Sequence, residues 1–439
     1  MFPISINNSE TIMKASVLVK LTCILIVLVL LRQFYIDICN FPDLFPEKNI
    51  YESYGISDWL VNYRAGFVRR GLAGEILWQI YQLHPFPVVY VLSTLNIICL
   101  VGLAILCACL FKRMGWPIWL LLFPMFLYYR FYGLGMGILD TRRDGLILLF
   151  AFLLFKQYKS YLAGGGVFMI WLMSFLILLV YEGIFFSVFP FLALHTWMFL
   201  KTSFVKRCLK MLYLWWPVGI MLLILVFIHG DDGDTNIPDI IWQSWKPCFE
   251  TYPYGHDMPS IGPGVEWLSK TLKSNGPLAF SISWKSSFIG CLPCWPFNIY
   301  TIIAIYYLFT RMDMFSETFT QVHRTQISNI LILQLLFIMP MLGLIANDWY
   351  RSVPYCCITT CFLCYLFRDS QYVPVPSFVN RTSRYIQTTI EKSKMLNNPW
   401  VYYIILVTLP LCLYNARPGG MFPFIPIDMK SRLIEMIIG

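Results

Sequence analysis

Long apolar runs recur along the whole chain, separated by short polar clusters. A helix that crosses a bilayer needs about 20 apolar residues. Eleven runs approach that length: 15–36, 87–111, 116–132, 144–158, 166–182, 184–200, 211–229, 296–310, 328–346, 353–367 and 400–415. Several are short, which implies tilted or partly re-entrant helices. The stretch 166–200 is too long for one span and breaks at Tyr181-Glu182-Gly183. The first run lacks a small-residue cleavage site after it, so it reads as an uncleaved span rather than a signal peptide. The pattern predicts an all-α, polytopic transmembrane helix bundle of about 11 spans. Residues 1–439 read as a single integral membrane domain.

Threading these runs with the N-terminus in the cytoplasm leaves two large extracytoplasmic loops, 37–86 and 230–295, and a cytoplasmic loop, 370–399. Within the first loop, Leu72, Ile76, Leu77 and Ile80 fall at helical spacing, with Trp78 and Tyr81 beside them. Apolar residues at that period, with amphipathic aromatic rings, predict a helix lying flat in the membrane interface. The chain carries no internal repeat and no low-complexity tract, which weighs against an inverted-repeat transporter.

Composition agrees with this reading. Hydrophobic residues make up 58% of the chain, charged residues 13%, and mean hydropathy is +0.64. A soluble domain carries roughly 25% charged residues. The charges also sort by side. The predicted cytoplasmic segments hold 17 basic and 5 acidic residues and the opposite face 16 and 19, together all 33 basic and 24 acidic residues. By the positive-inside rule the basic-rich face is cytoplasmic, as expected of a multi-pass protein of the plasma (inner) membrane. The net charge of +9 sits next to the membrane and forms no basic block, so it points to anionic lipid and not to nucleic acid.

Most of the 14 cysteines lie inside apolar runs, where a free thiol acts as a small hydrophobe. Cys291 and Cys294 form a CLPC pair in an outside loop, suited to a disulfide there. No Cys or His pair has metal-ligand spacing, and phosphate-binding glycine loops are absent. No cofactor is expected. Asp231-Asp232-Gly233-Asp234 reads as a solvated turn, and a divalent cation there has no further support.

Four polar clusters stand out, all on the predicted outer face. The segment 57–75 packs Asp58, Arg64, Arg69, Arg70, Glu75 and three glycines together. Arginine forks match phosphate geometry, so Arg64, Arg69 and Arg70 are candidates for holding a diphosphate and Asp58 for a general base. The second cluster is Asp140-Thr141-Arg142-Arg143-Asp144. Asp140 or Asp144 is a candidate second acid, and Arg142 and Arg143 are further phosphate ligands. The third is Glu182, an ionisable group between apolar runs, which is costly at membrane depth and marks a functional candidate. The fourth is Asn347-Asp348-Trp349-Tyr350-Arg351, where Asp348 and Arg351 share a helix face. Each cluster also has a structural reading: a surface helix start whose arginines bind lipid headgroups for the first, a mutually neutralised ion cluster at the membrane edge for the second, an ion pair of Glu182 with an arginine of the first two clusters for the third, and an aromatic belt with a local salt bridge for the fourth. Trp242, Trp245, Tyr252, Tyr254, His256, Asp257, Glu266 and Trp267 in the large loop mix rings with carboxylates, a composition suited to sugars.

The runs NYRAGFVRRGLAGE (62–75), DTRRD (140–144), YEGIFFSVFP (181–190) and NDWYR (347–351) resemble those of polytopic proteins from bacterial surface-polysaccharide loci. The layout is similar to GT-C membrane glycosyltransferases and O-antigen or capsule polymerases. The resemblance implies an enzyme that takes polyprenyl-(di)phosphate-linked saccharides at the extracytoplasmic face of the bacterial inner membrane. It also implies partner proteins of polysaccharide assembly. Catalytic acids would then be Asp58, Asp140 or Asp144, and Glu182. Arg64, Arg69, Arg70, Arg142 and Arg143, with Asp348 and Arg351, would hold substrate. Two other classes fit a polytopic chain: a flippase or transporter of lipid-linked saccharides, and a glycan acyltransferase built on an intramembrane histidine, for which His195 beside Thr196 is the candidate.

Overall fold

The computed structural model describes residues 16–22, 24, 25, 28, 54–116, 143–227, 236–251, 260–269, 295–312, 321–341, 349–368 and 374–415. Among them every regular element is helical and no strand occurs. The chain divides into two compact units, one of residues 33–106 and 132–279, the other of 1–32, 107–131 and 280–439.

The first unit opens with two helices of the first loop, α1 (Tyr54–Trp59) and α2 (Gly71–Leu83). The apolar α3 (Val88–Met114) follows, its last turns from Cys107 belonging to the second unit. Next come α4 (Asp144–Leu162), α5 (Phe168–Val180), a 3-10 turn at Glu182–Ile184, α6 (Phe185–Phe199) and α7 (Phe204–Phe227). Three short helices close the unit: α8 (Ile237–Ser244), α9 (Lys246–Thr251) and α10 (Pro263–Ser269). Helices α4 and α5 pack as a hairpin, and α5 also packs on α7 and α2.

Membrane character follows from what these helices leave exposed. On α7, Leu209, Leu212, Trp216, Ile220, Leu223 and Phe227 lie on the surface at helical spacing. On α3, Ile98, Val101 and Ile105 do the same. Apolar stripes of this length are found on soluble surfaces only as interaction sites, whereas hydrocarbon solvates them. Five helical segments are long and apolar enough to cross a bilayer: Val88–Met114, Asp144–Leu162, Glu182–Phe199, Phe204–Leu225 and Arg324–Met341. Four more apolar helices are shorter: Phe168–Val180, Ile299–Thr310, Tyr355–Leu366 and Pro399–Leu409.

Helix ends shift from the apolar runs where polar residues join the helix. Helix α7 begins at Phe204 rather than 211, because Lys206, Arg207 and Lys210 are good helix formers and extend its first turns. The run 116–132, apart from Trp116, lies outside the described residues, as do 416–439, Asp231–Asp234 and the Cys291/Cys294 pair.

The two large loops predicted as separate features share one core. Ile56, Trp59, Leu60 and Val61 of the first bury against Ile241, Trp242, Trp245 and Phe249 of the second. Trp242 and Trp245 were expected to stack on sugar rings, but they are 2% and 0% exposed. Trp245 Nε1 donates to Leu60 O at 2.8 Å, which satisfies its polar edge inside the core. Burying two indoles stabilises the loop pair more than leaving them in water, so they are lost to ligand.

Helix α2 sits directly on the backbone of residues 59–61. A Cβ at Gly74 would lie 1.9 Å from Val61 O and 2.6 Å from Trp59 O. Its buried face carries Ala73, Leu77 and Tyr81, while Ile76, Ile80 and Leu83 are exposed beside it. The helix predicted for the interface is therefore apolar on two faces, one packed and one open.

In the second unit, α11 (Trp295–Thr310) packs on α12 (Gln321–Ile338) and on the last helix, and α12 packs on α13 (Trp349–Leu366) and α14 (Ser377–Lys392). The last helix, α15 (Pro399–Asn415), starts where Asn398 Oδ1 caps Trp400 N at 3.0 Å. Helix α14 occupies the predicted cytoplasmic loop. Its buried face is half polar (Val379, Ser383, Gln387, Ile390), so hydrophobic periodicity alone does not disclose it. Cys356, Cys357, Cys361 and Cys364 are buried free thiols.

Gly74→Ala is expected to destabilise the detergent-solubilised protein by at least about 2 kcal/mol, because backbone must move. Gly102→Ala, with open space around its Cβ, is the control and should leave the melting temperature level or slightly raised. Thermal unfolding of both variants checks this, and equal melting temperatures would contradict the close packing.

Candidate functional site

Asp58, Arg69 and Arg70 of the first polar cluster, Arg143 of the second and Glu182 come together in the first unit. Arg143 stands just before α4, and its side chain is 1% exposed. Its Nε donates to Asp58 Oδ2 at 3.1 Å and its Nη2 to Asp58 Oδ1 at 2.7 Å. Nη2 also donates to Asp58 O, and Nη1 to Arg70 O, both at 2.6 Å. One guanidinium thus fixes a carboxylate and two main-chain carbonyls from both ends of segment 58–70. Such a planar fork is what this acceptor set requires.

Arg70 makes the second pair. Its Nε and Nη2 donate to Glu182 Oε2 and Oε1, each at 2.8 Å, a bidentate arrangement. Its Nη1 lies 3.7 Å from Asp58 Oδ1, and its Cζ sits 4.4 Å from the centroid of the Tyr181 ring. Arg69 Nη1 approaches Glu182 Oε1 at 3.5 Å. Asp144, also buried, lies in the first turn of α4, where the helix end favours a negative charge. Arg69, Arg70 and Arg143 therefore meet the carboxylates of Asp58 and Glu182.

Arg70 is also strained. Its φ of 61° and ψ of 12° place it in the left-handed region, and among the described residues no other non-glycine residue has a positive φ. That conformation costs a residue with a Cβ about 1–2 kcal/mol. It persists because Arg143 holds the carbonyl and Glu182 holds the side chain. Strain maintained this way concentrates at functional sites.

Arg64 stands apart. Its Cζ lies 3.2 Å from the Trp78 ring centroid and its Nη2 3.8 Å from Glu75 Oε1. Glu75 also accepts from Tyr63 N and from Gln79 Nε2. The Tyr63 phenol is buried at Gly71, and burial pushes its pKa up to about 12, with Arg143 opposing and Glu75 adding to the rise.

Asp140, Arg142 and Asp348 lie outside the described residues. Arg351 belongs to α13, in the other unit. Sequence reasoning missed Tyr181, although it adjoins Glu182 at the break between two apolar runs. It also missed Ser57, whose Oγ accepts from Gly264 N at 2.9 Å. A Cβ at Gly264 would come within 2.5 Å of Asp58 N, so α10 presses on the segment that carries Asp58. Among the described residues no group of three or more His, Cys, Asp or Glu side chains is placed to hold a metal ion.

A second buried polar group lies between α4 and α6. Thr196 Oγ1 donates to Leu192 O at 2.7 Å, so its oxygen accepts from Tyr158 Oη at 2.9 Å. The Tyr158 oxygen then accepts from His195 Nδ1 at 2.8 Å, which assigns the ring proton to Nδ1. Tyr158 is about 20 Å along α4 from Asp144, at 1.5 Å per residue. The histidine is thus remote from the arginine cluster.

Residues 25–151 match a protein family described as "Uncharacterised membrane protein Rv1490". The matched stretch includes Asp58, Arg69, Arg70 and Arg143 but ends before Glu182. No curated protein and no solved structure matches the chain significantly. The match and the exposed apolar helices together make this an integral membrane protein.

Arg143→Ala strips Asp58 of its main partner and should cost about 3–5 kcal/mol. Arg143→Lys should not restore it, since a point charge cannot serve all these acceptors. Thermal unfolding reads both, and a loss below about 1 kcal/mol, the range of an exposed pair, would contradict the geometry. Tyr63 gives a pH test. Its folded pKa lies above the unfolded value of about 10, so its contribution is complete below pH 10 and is lost as pH rises through about 12. Tyr63→Phe should therefore blunt alkaline unfolding in that window, and an unchanged alkaline limb would count against it.

Proposed function

We propose that this chain is a glycosyltransferase or polymerase of surface polysaccharide. It would use a polyprenyl-diphosphate saccharide at the outer face of the bacterial plasma membrane. In this reading about 11 spans cross the bilayer with the N-terminus in the cytoplasm. The observation that carries the reading is the pairing of Arg70 with Glu182. A strained arginine is held by the more exposed of the two principal carboxylates, 14% against 5% for Asp58. Beside it lies α2, whose open stripe of Ile76, Ile80 and Leu83 suits the membrane interface.

The chemistry follows from exchange of partners. A diphosphate carries more charge than one carboxylate and competes with Glu182 for Arg69 and Arg70. Arg143 and Asp58 stay together and hold the segment still. Displaced Glu182 accepts the proton of the acceptor sugar hydroxyl, whose oxygen attacks the anomeric carbon. The bond from that carbon to the diphosphate oxygen breaks, and the leaving group departs with its electron pair onto the arginines. Asp58, fixed by two guanidinium N–H groups, serves position rather than proton transfer.

Deleting the gene and restoring it as wild type or Glu182→Gln tests this. Surface glycolipids resolved on a gel should show the wild-type pattern with the first. With the second they should show the deletion pattern, at equal membrane abundance. Loss of a length ladder with a surviving single-unit band would identify a polymerase. A normal pattern from Glu182→Gln would overturn the assignment.

A further inference from the structure

We propose that a cavity at the basic end of the second unit binds a phosphate-bearing anion. This inference stands apart from the glycosyltransfer reading and uses none of its residues. The cavity measures about 220 Å³ and is lined by Arg113, Trp116, Gln326, Ile327, Cys364 and Arg368 among others. Its described lining contains two guanidinium groups and no carboxylate. A water molecule takes about 30 Å³ of liquid, so the space exceeds that of a few waters and admits a phosphoryl group with its substituents.

Helix order produces the charge. Arg113 lies in the last turn of α3, Arg311 just after α11, Arg324 near the start of α12 and Arg368 just after α13. Helices α11, α12 and α13 pack on one another in alternating directions, so these positions gather at one end. Two of the four arginines are committed elsewhere. Arg324 Nη1 donates to Glu391 Oε1 at 2.5 Å, and Arg311 Nη1 to Asn397 Oδ1 at 2.6 Å.

The other two are arranged around Tyr365. Arg113 Nη1 donates to the Tyr365 hydroxyl at 2.9 Å, and Arg368 Cζ lies 4.6 Å from its ring centroid. One phenol thus keeps two cations together beside the cavity, against their mutual repulsion. A guanidinium has five N–H donors, and the Tyr365 hydroxyl uses one of those on Arg113. Gln326 Nε2 donates to Phe367 O at 3.0 Å, which fixes another side chain of the lining. Basic pockets between membrane helices recognise phosphate headgroups by this chemistry. Lipid headgroup and free phosphate offer the same oxygens.

The test uses the delipidated full-length protein in neutral detergent. Inorganic phosphate, phosphatidylglycerol and phosphatidylcholine are added separately, and the melting temperature is read. Variants are Arg113→Gln, at an exposed position that folding tolerates, Arg368→Gln, and Arg384→Gln on exposed α14 as control. Phosphatidylglycerol should raise the melting temperature of wild type and Arg384→Gln above that in phosphatidylcholine. Its apparent affinity should fall roughly tenfold in Arg113→Gln, the effect of losing about one charge-assisted hydrogen bond. An equal, arginine-dependent rise with inorganic phosphate identifies a free phosphate site. A rise with the lipid alone identifies a headgroup site. No rise with either anion, or a rise indifferent to Arg113, overturns the proposal, and Arg113→Gln alone decides if Arg368→Gln does not fold.

Discussion

The guanidinium of Arg143 is the constraint on which the arginine–carboxylate cluster of the first unit depends. It joins the start of α4 to the carboxylate and carbonyl of Asp58 and to the carbonyl of Arg70. Those contacts tie together segments 85 and 73 residues apart in sequence. Removing three arginines and the carboxylates of Asp58 and Glu182 from water is expensive, and a hydrophobic cluster would be at least as stable. What the ionic arrangement adds is a unique geometry. It holds Arg70 in a left-handed conformation and aims that side chain at Glu182.

Around this lattice the chain solves two solvation problems at once. Helices α3 and α7 present apolar stripes that lipid solvates. The two long loops bury their own aromatic residues in a shared core, as a soluble domain does. Gly74 and Gly264 permit the close approach of α2 and α10 to the segment carrying Asp58. The strained arginine is thus supported on one side by loop packing and on the other by the α4–α5 hairpin. A support of that kind is needed if a ligand is to trade places with Glu182 without unfolding the site.

Much of this was legible in the sequence because hydrophobic runs and charge clusters are local signals. The helical character, the helix at Leu72–Tyr81 and the charged clusters that hold Asp58, Arg70, Arg143 and Glu182 all came from such signals. Pairing did not. Nothing in the order of residues says that Arg143 selects Asp58 while Arg70 selects Glu182, since that choice is made by the packing of four separate segments. Trp242 and Trp245 were misread for a related reason. An aromatic residue in a polar loop looks available until a second loop covers it. Helix α14 escaped notice because its buried face includes Ser383 and Gln387, which bond to Ser328 and to Arg324 O in α12.

The most direct test is to place the purified protein in liposomes with a radiolabelled polyprenyl-diphosphate saccharide and an acceptor glycan. The account predicts that label moves covalently to the acceptor and that polyprenyl diphosphate is released. Recovery of the lipid-linked saccharide intact, whether in its original leaflet or the other, would contradict it.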